Sequence, residues 1–231
     1  MKEIFDNYVE TSFDGLQQAT FKYKQFEINY RKYFPHNKTC LILDIGIGRG
    51  EMLTCMRDWG FDYQGIDISP STVNFCKALQ LKCEVTDDTA KWLTHNNDKY
   101  SLITCLDVLE HVPRDQTIDF LKAIKTSLVN GGQAIIQVPN LQSPFGYLHH
   151  FNDFTHVSGF VEHSLGQVLL TAGFKEFEFH GFEEIFAVNF KQSIRLMLRF
   201  FYRKVIRFLR NLNGNPNPLI LDPVMFVVAK K

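Results

Sequence analysis

The sequence predicts an α/β protein in which a doubly wound, mostly parallel sheet of seven strands carries helices on both faces. Short apolar runs, typical of buried strands, alternate with segments of helical spacing along most of the chain. A glycine-rich turn follows the first apolar run, and acidic residues follow the first, second and fourth. Ligands in such sheets bind beyond the carboxyl ends of the strands, so these turns mark the expected site.

The predicted elements alternate regularly in chain order. Residues 16–34 form a predicted N-terminal helix that ends at Pro35. The predicted strands cover residues 40–45, 63–68, 83–85, 101–106, 133–138, 175–182 and 224–229. The first predicted helix between them follows the glycine-rich turn and ends at about residue 59. The others cover residues 70 to about 80, 89–95, 115–129 and 164–172. Residues 130–132, Asn-Gly-Gly, are expected to stop the fourth of these helices.

These elements predict one domain in four parts. The parts are an N-terminal helical cap (1–37), a core (38–182) with an irregular loop (139–162), an insertion with a basic amphipathic helix (183–222) and the final strand (223–231). The 231 residues, 45% of them hydrophobic, are enough to bury a sizeable core.

The composition excludes several classes of protein. The acidic start of the chain has no apolar run typical of a secretory signal, and no uncharged apolar stretch of about 18 residues predicts a membrane span. The five cysteines form no Cys-x-x-Cys pair, which is typical of reduced structural thiols. We therefore expect a cytoplasmic protein.

The turn after the first strand carries a carboxylate and three glycines, namely Asp44, Gly46, Gly48 and Gly50. Glycines allow a tight turn and a close backbone approach to a ligand. A dinucleotide site typically has Gly-x-Gly-x-x-Gly, so that a phosphate meets the helix N-terminus, whereas the spacing here is Gly-x-Gly-x-Gly. The carboxylate would repel a phosphate but suits a ligand with an ammonium group.

A second acid, Asp67, ends the second strand, 21 residues after Gly46. A carboxylate in this place can accept hydrogen bonds from both hydroxyls of a ribose. Together the two turns indicate a ligand with a ribose and a cationic group.

These motifs resemble those of class I S-adenosylmethionine-dependent methyltransferases, over roughly residues 38–182. The resemblance implies a Rossmann-like domain that binds S-adenosylmethionine and releases S-adenosylhomocysteine. It assigns the glycine motif to Asp44, Gly46, Gly48 and Gly50, the ribose to Asp67, and the adenine ring to Ile68.

Two further motifs extend the resemblance. The family's acid near the adenine amine corresponds to Asp88, with Asp87 as the competing assignment. The exit of the fourth strand, residues 106–113, resembles the Asp-Val-Leu-Glu-His motif of ubiquinone-pathway O-methyltransferases and adds Leu106 and Asp107 to the cofactor site.

The expected catalytic residues lie beside the methyl group of the cofactor. His111 follows the fourth strand and is a candidate general base or acceptor-orienting group; the alternative is a helix-start histidine bonded to a nearby carbonyl. In the loop over 139–162, Asp153 and His156 would bind or deprotonate an acceptor hydroxyl, as in the similar segment of methyltransferases from bacterial surface-polysaccharide pathways; the alternative is a solvated surface loop.

A metal ion is the less favoured interpretation of these acids and imidazoles. Asp107, His111, Asp153 and His156 would suit a divalent metal if they converged, but no close ligand spacing supports such a site. We therefore expect S-adenosylmethionine as the cofactor and assign no metal ligand.

A basic amphipathic helix is predicted over residues 191–212, with seven basic side chains and no acidic one. Arg195, Arg199, Arg203 and Arg207 recur every four residues beside an apolar face. We expect a peripheral contact with the inner face of a membrane. Packing on the domain or in an oligomer is the second interpretation, and nucleic acid is not expected as a partner.

Three functional hypotheses follow. The first is an O-methyltransferase that modifies a sugar hydroxyl of a surface glycan or its lipid-linked precursor. The second is an O-methyltransferase of a quinone-type or other small lipophilic acceptor. The third is a membrane-associated binding subunit that keeps the fold without catalysis. The oligomeric state stays open.

Overall fold

A computed structural model describes residues 19–183, 190–215, 218 and 220–231. Residues 16–18 of the predicted N-terminal helix and parts of the 183–222 insertion lie outside the described residues. In the described part of the chain, no helix is long and apolar enough to cross a bilayer.

The strands form one mostly parallel sheet, as predicted, in the order β3-β2-β1-β4-β5-β7-β6. The strands are β1 (Leu41–Ile45), β2 (Asp62–Asp67), β3 (Cys83–Val85), β4 (Tyr100–Leu106), β5 (Leu128–Pro139), β6 (Glu176–Gly181) and β7 (Val224–Lys230). β1 to β5 are parallel, and β7 runs antiparallel to both of its neighbours. The order reverses at β1, which lies between β2 and β4, so the carboxyl ends of these three strands define the crevice in which ligands bind.

The helices cover both faces of the sheet. They are α1 (Ala19–Tyr30), α2 (Glu51–Asp58), α3 (Pro70–Ala78), α4 (Thr89–Thr94), α5 (Thr117–Ser127), α6 (Gly146–Phe151), α7 (Glu162–Thr171) and α8 (Phe190–Leu212), with 3-10 turns at Arg31–Tyr33 and Leu109–His111. The start of α3 follows from its sequence, because Ser69 accepts a hydrogen bond from the Thr72 amide and Pro70 fills the first helical position.

Two hydrophobic clusters, one on each face, hold these layers together. Successive strand residues point to opposite faces, so Ile42 packs with α1 and α2 while Leu43 packs with α5 and α7. Tyr30 of α1 is fully buried in the first cluster. The N-terminal helix therefore belongs to the core of the domain.

Two predicted segments differ from the structure. The helix predicted over 115–129 ends at Ser127, because Leu128 is buried and already pairs with Tyr100 as the first residue of β5. The next pair joins Gln133 to Leu102, so the Asn-Gly-Gly segment bulges from the ladder with Gly131 at φ +77° instead of capping the helix. The loop over 139–162 is not wholly irregular, since it contains α6.

Candidate active site

A cleft of about 490 Å³ opens at the carboxyl ends of β1, β2 and β4. This volume is in the range of small-molecule sites. Most of the predicted cofactor and catalytic residues line it, namely Asp44, Gly46, Gly48, Asp67, Ile68, Leu106, Asp107 and His111. The switch point of the sheet therefore brings together residues that are up to 67 positions apart in the sequence.

The turn after β1 forms the floor of the cleft with its backbone. Gly46 has φ +74°, and a Cβ atom on it would lie 2.2 Å from Cγ2 of Val108. A side chain at this position would therefore clash with the turn that follows β4. Gly50 lies at the start of α2, against Leu81 and outside the lining of the cleft, so its glycine serves the packing of that helix.

Asp44 is the buried carboxylate of this turn. Its Oδ1 accepts a hydrogen bond from Thr104 Oγ1 at 2.6 Å. Burial raises the pKa of Asp44 to about 8, and the negative charges of Asp67 and Glu51 add to the rise. A cationic ligand in the cleft would relieve this repulsion and stabilise the ionised carboxylate.

Asp67 joins two turns of the site. It accepts a hydrogen bond from the Ser69 amide at 2.8 Å, and further backbone bonds from Gly48, Ile47 and Ile68 oppose the effect of its burial. Burial nevertheless raises the pKa of Asp67 to about 6. Ile68 next to it is partly exposed at the cleft and offers an apolar surface for a flat ring.

The predicted acid for the adenine amine lies elsewhere. Asp88 is exposed, caps α4 by accepting a hydrogen bond from the Lys91 amide at 3.0 Å, and lies outside the lining of the cleft. Asp87 is also exposed and outside the lining. The geometry therefore gives Asp88 the role of a helix cap, and its assignment to the cofactor stays a prediction.

Asp107 lies at the end of β4 in a strained conformation, with φ +54°. Gln137 of β5 donates a hydrogen bond from Nε2 to Asp107 Oδ2 at 2.9 Å. The hydroxyl of Tyr30 donates in turn to Gln137 Oε1. Burial raises the pKa of Tyr30 well above its usual value, so the phenol stays a donor.

His111 ends the 3-10 turn after β4 and lines the cleft in a mostly buried position. Its Nδ1 is 2.8 Å from Thr155 Oγ1, and the same hydroxyl donates to Asp153 Oδ1 at 2.6 Å. An ionised carboxylate only accepts, so the Thr155 proton points to Asp153 and Nδ1 of His111 carries its own proton. Burial and the neighbouring His156 lower the pKa of His111 to about 4, while Asp153 and backbone hydrogen bonds with Thr155 and Asp107 act in the opposite direction, so the ring is neutral at physiological pH. A bond to a nearby backbone carbonyl is also what the alternative interpretation of His111 predicts.

The two other predicted catalytic residues lie behind His111. Asp153 reaches it through Thr155, and the ring of His156 lies 4.5 Å from the His111 ring between centroids. His156 donates from Nδ1 to the His150 carbonyl at 2.7 Å. Neither Asp153 nor His156 lines the cleft, whereas His149 of the same loop does. A direct contact of Asp153 and His156 with an acceptor therefore stays a prediction.

A family model described as a methyltransferase domain matches residues 23–177. The chain belongs to this methyltransferase family. It is an S-adenosylmethionine-dependent methyltransferase with the class I fold. The match includes Tyr30 and most of α1 together with β1 to β5, which agrees with the burial of Tyr30 in the core.

Relatives of the methyltransferase include an uncharacterized protein of Methanocaldococcus jannaschii, 29% identical over 83% of this chain and 76% of that protein. A ubiquinone biosynthesis O-methyltransferase of Paraburkholderia phytofirmans is 33% identical over 43% of this chain and 44% of its own length. The chain thus matches less than half of that relative.

Solved structures share the fold of the methyltransferase. A SAM-dependent methyltransferase from Archaeoglobus fulgidus superposes with a TM-score of 0.69 at 21% identity, over 93% of this chain and 97% of that chain. A phosphoethanolamine N-methyltransferase from Haemonchus contortus, in complex with S-adenosyl-L-methionine, has a TM-score of 0.59 at 13% identity, over 98% of this chain and 60% of that chain.

The cleft fits the charge and shape of S-adenosylmethionine. The molecule carries a sulfonium and an ammonium group. The carboxylates of Asp44, which is buried, Asp67, which is partly buried, and Asp107, which is exposed, line the cleft and would stabilise these positive charges. The backbone of the glycine turn is accessible to a ligand because no Cβ atom covers it. Asp67 would hold the ribose, and Ile68 would pack on the adenine.

Sequence reasoning missed the polar residues that support the methyltransferase site from behind. Gln137 and Tyr30 orient Asp107, and Thr155 joins His111 to Asp153. Glu110 is fully buried beside His156 although it is acidic. One feature of the sequence could have indicated Gln137. It is the single amide in the otherwise apolar run from Ile135 to Val138, and a polar side chain in a buried strand needs a hydrogen-bond partner.

Proposed function

We propose that this methyltransferase transfers a methyl group to a hydroxyl of a sugar in a surface glycan or its lipid-linked precursor. The observation that carries the proposal is the hydrogen-bond chain from His111 through Thr155 to Asp153 at one end of the cleft. A sugar hydroxyl is weakly nucleophilic while protonated, so its methylation needs a group that removes the proton.

His111 supplies that group in the proposal. S-adenosylmethionine, when bound, supplies a methyl group already activated on its sulfonium. Nδ1 of His111 donates its proton to the hydrogen bond with Thr155, so the proposal assigns removal of the acceptor's proton to Nε2 of the same ring. Asp153 then stabilises the positive imidazole through the Thr155 hydroxyl, and it acts as a positioning residue.

The surface next to this end of the cleft supports an acceptor with flat, partly apolar faces. Four aromatic side chains of the 139–162 loop are exposed, namely Phe145, Tyr147, Phe151 and Phe154. Exposure reaches 77% for Phe151 and 86% for Phe154. Aromatic faces of this kind pack on the C–H faces of sugars, while hydroxyls reach neighbouring polar groups such as His149.

Label transfer tests the proposal. The protein is incubated with tritium-labelled S-adenosylmethionine and cell-envelope extract, which is then separated into glycan, lipid-linked glycan and quinone or phenol fractions. We expect alkali-stable label that acid hydrolysis releases as a methylated monosaccharide. Label found only with quinones or phenols would contradict the sugar acceptor, and a parallel reaction with His111→Ala controls for background transfer.

A quinone-type acceptor is the second candidate, favoured by the similarity to the ubiquinone biosynthesis O-methyltransferase and by the Asp-Val-Leu-Glu-His motif of this chain. The same separation decides between the two. The non-catalytic hypothesis predicts that neither fraction is labelled and that no S-adenosylhomocysteine accumulates. The intact cofactor cleft argues against it.

The proposal includes a peripheral contact of α8 with an anionic membrane. Many apolar side chains of this helix are exposed, namely Ile194, Met197, Leu198, Phe201, Val205, Phe208, Leu209 and Leu212. On its inner side Arg199 and Arg203 form ion pairs with Asp222, and the Tyr202 ring packs on Phe145. The helix is therefore anchored by its polar edge, with apolar groups outward and basic residues beside them, as in interfacial helices.

Vesicle binding tests this contact. The double substitution Phe201→Ser and Phe208→Ser removes two rings that are 57% and 61% exposed. We expect binding to phosphatidylglycerol vesicles to fall at least tenfold in sedimentation, because each buried ring contributes about 1.5–3 kcal/mol.

The matched control is Leu170→Ser, an exposed apolar residue of α7. Equal vesicle binding by wild type and the double variant would contradict the membrane contact. A concentration-dependent dimer in light scattering that the double variant abolishes would assign the apolar face to a second copy instead.

A further inference from the structure

A buried acid beside the acceptor end of the cleft has no role in the steps described so far. Glu110 lies in the 3-10 turn Leu109–His111 and is 0% exposed. Among the described residues, neither of its carboxylate oxygens has a hydrogen-bond partner. An ionised carboxylate without a partner is costly to bury, so the position calls for a cation or for another use of the charge.

Two imidazoles converge on this carboxylate. His156 Nε2 lies 3.8 Å from Glu110 Oε1. His111 completes the group, and one ligand atom from each of the three residues lies within 4.8 Å of the others. Two imidazoles and one carboxylate are a donor set that first-row divalent metals prefer, as distinct from the all-oxygen set of Mg²⁺ and Ca²⁺.

Hydrogen bonds from the other elements hold both rings in place. His156 donates from Nδ1 to the His150 carbonyl at 2.7 Å, which turns its Nε2 toward Glu110. His111 is held through Nδ1 by Thr155 at 2.8 Å. Such bonds from the second ring nitrogen fix the tautomer and the orientation of metal-binding histidines.

The backbone also joins the two segments that supply the group. The Glu110 carbonyl accepts hydrogen bonds from the amides of Val157 at 2.8 Å and Ser158 at 2.9 Å. The segment that carries His156 is therefore fastened directly to the turn that carries Glu110 and His111. A site built from these three residues would join the acceptor loop to the cofactor domain.

We propose that Glu110, His111 and His156 bind one divalent first-row metal ion, Mn²⁺ or Zn²⁺, beside the acceptor end of the cleft. These ligands differ from the four residues considered from the sequence. Asp107 accepts a hydrogen bond from Gln137 and Asp153 accepts one from Thr155, so neither belongs to the group, and Glu110 supplies the carboxylate. His111 lines the cleft, so the ion would lie where an acceptor oxygen could reach it.

Such an ion would lower the pKa of an acceptor hydroxyl bound to it, so that the hydroxyl proton could leave to solvent water and the resulting oxygen anion could take the methyl group. With the ion bound, His111 would act as a ligand in place of the base proposed above. This role rests on the proposed O-methyl transfer, whereas metal binding itself does not. The two are separable, because metal binding can be measured without any acceptor or cofactor.

The test is metal binding by the full chain after removal of metals with a chelator. Mn²⁺ is titrated and the free ion followed by electron paramagnetic resonance, and Zn²⁺ is titrated against a chromophoric chelator; the two arms identify the preferred ion. We expect one equivalent to bind, with affinity about 100-fold lower in Glu110→Gln and in His156→Ala. Matched controls are Glu178→Gln and His95→Ala, two exposed residues expected to leave affinity unchanged.

Thermal unfolding keeps the test valid if a variant is unstable. Glu110→Gln is nearly isosteric and leaves no carboxyl group to be desolvated, so we expect the metal-free variant to unfold at a temperature no lower than wild type. The metal should raise the unfolding temperature of wild type but not of this variant. Absence of saturable Mn²⁺ and Zn²⁺ binding, or equal binding by Glu110→Gln, would overturn the metal site. Methyl transfer that persists under chelation in that case would leave the proposed function intact.

Discussion

Asp44→Asn is expected to lower the affinity for S-adenosylhomocysteine by about 10- to 100-fold while leaving the protein folded. The asparagine keeps an oxygen that accepts the Thr104 hydroxyl, so the local geometry is retained. It loses the negative charge that would face the ammonium group of the ligand. Hydrogen bonds to charged groups contribute about 1.5–3 kcal/mol, and 1.4 kcal/mol corresponds to a factor of ten. Isothermal titration calorimetry measures the change.

The pH dependence gives this prediction a second readout. Since the folded pKa of Asp44 is about 8 and its ordinary value is 3.8, the ligand-free protein carries a proton there at neutral pH. The stability that this proton confers is complete below pH 3.8 and is lost as the pH rises through about 8. We therefore expect the unfolding temperature of ligand-free wild type to fall between pH 6 and 8, and that of Asp44→Asn to fall less.

Ligand binding should show the opposite trend with pH. A cationic ligand prefers the ionised carboxylate, so affinity should rise from pH 6 to 8 and binding should release a proton to the buffer. Calorimetry in two buffers of different ionisation enthalpy measures that proton. Asp115→Asn, an exposed acid beyond β4, is the control. Equal affinity of Asp44→Asn and wild type would show that the carboxylate does not meet the cationic tail.

The sheet and the cofactor end of the site could be predicted from the sequence because both depend on local patterns. Apolar runs mark buried strands, and the turns after β1 and β2 carry Asp44 and Asp67 within a few residues of the strand ends. The switch-point rule then brings these turns together without knowledge of side-chain packing.

The supporting contacts could not be predicted, because they join residues that are distant in the chain. Tyr30 and Gln137 are 107 positions apart, and Thr155 and His111 are 44 apart. No periodicity relates such pairs, and only the packing of α1 and of the loop after β5 on the sheet brings them into contact. Asp88 shows a different limit: an acid after a strand suits both a cofactor contact and the N-cap of the next helix. Asp88 forms the N-cap of α4, and its assignment to the cofactor stays a prediction.

His111→Ala is expected to lower kcat about 100-fold or more and to leave the dissociation constant of S-adenosylhomocysteine unchanged. The imidazole lies at the acceptor end of the cleft, so its loss removes the proton acceptor without touching the carboxylates that hold the cofactor. Steady-state kinetics with the acceptor identified by label transfer, together with calorimetry, separates the two effects. His163→Ala, on the exposed side of α7, is the matched control.

The hydrogen-bond chain behind His111 predicts how neighbouring substitutions should rank. Thr155→Val removes the hydroxyl that fixes the His111 tautomer but leaves the ring, so kcat should fall by a smaller factor, roughly tenfold. Because the pKa of His111 is about 4, its protonation should not limit wild-type turnover between pH 6 and 8.

If His111→Ala turned over at the wild-type rate both with a chelator and with added Mn²⁺, the imidazole would be neither base nor metal ligand. A deficit only with added Mn²⁺ would assign it to the metal, and a deficit under chelation would assign it to proton removal.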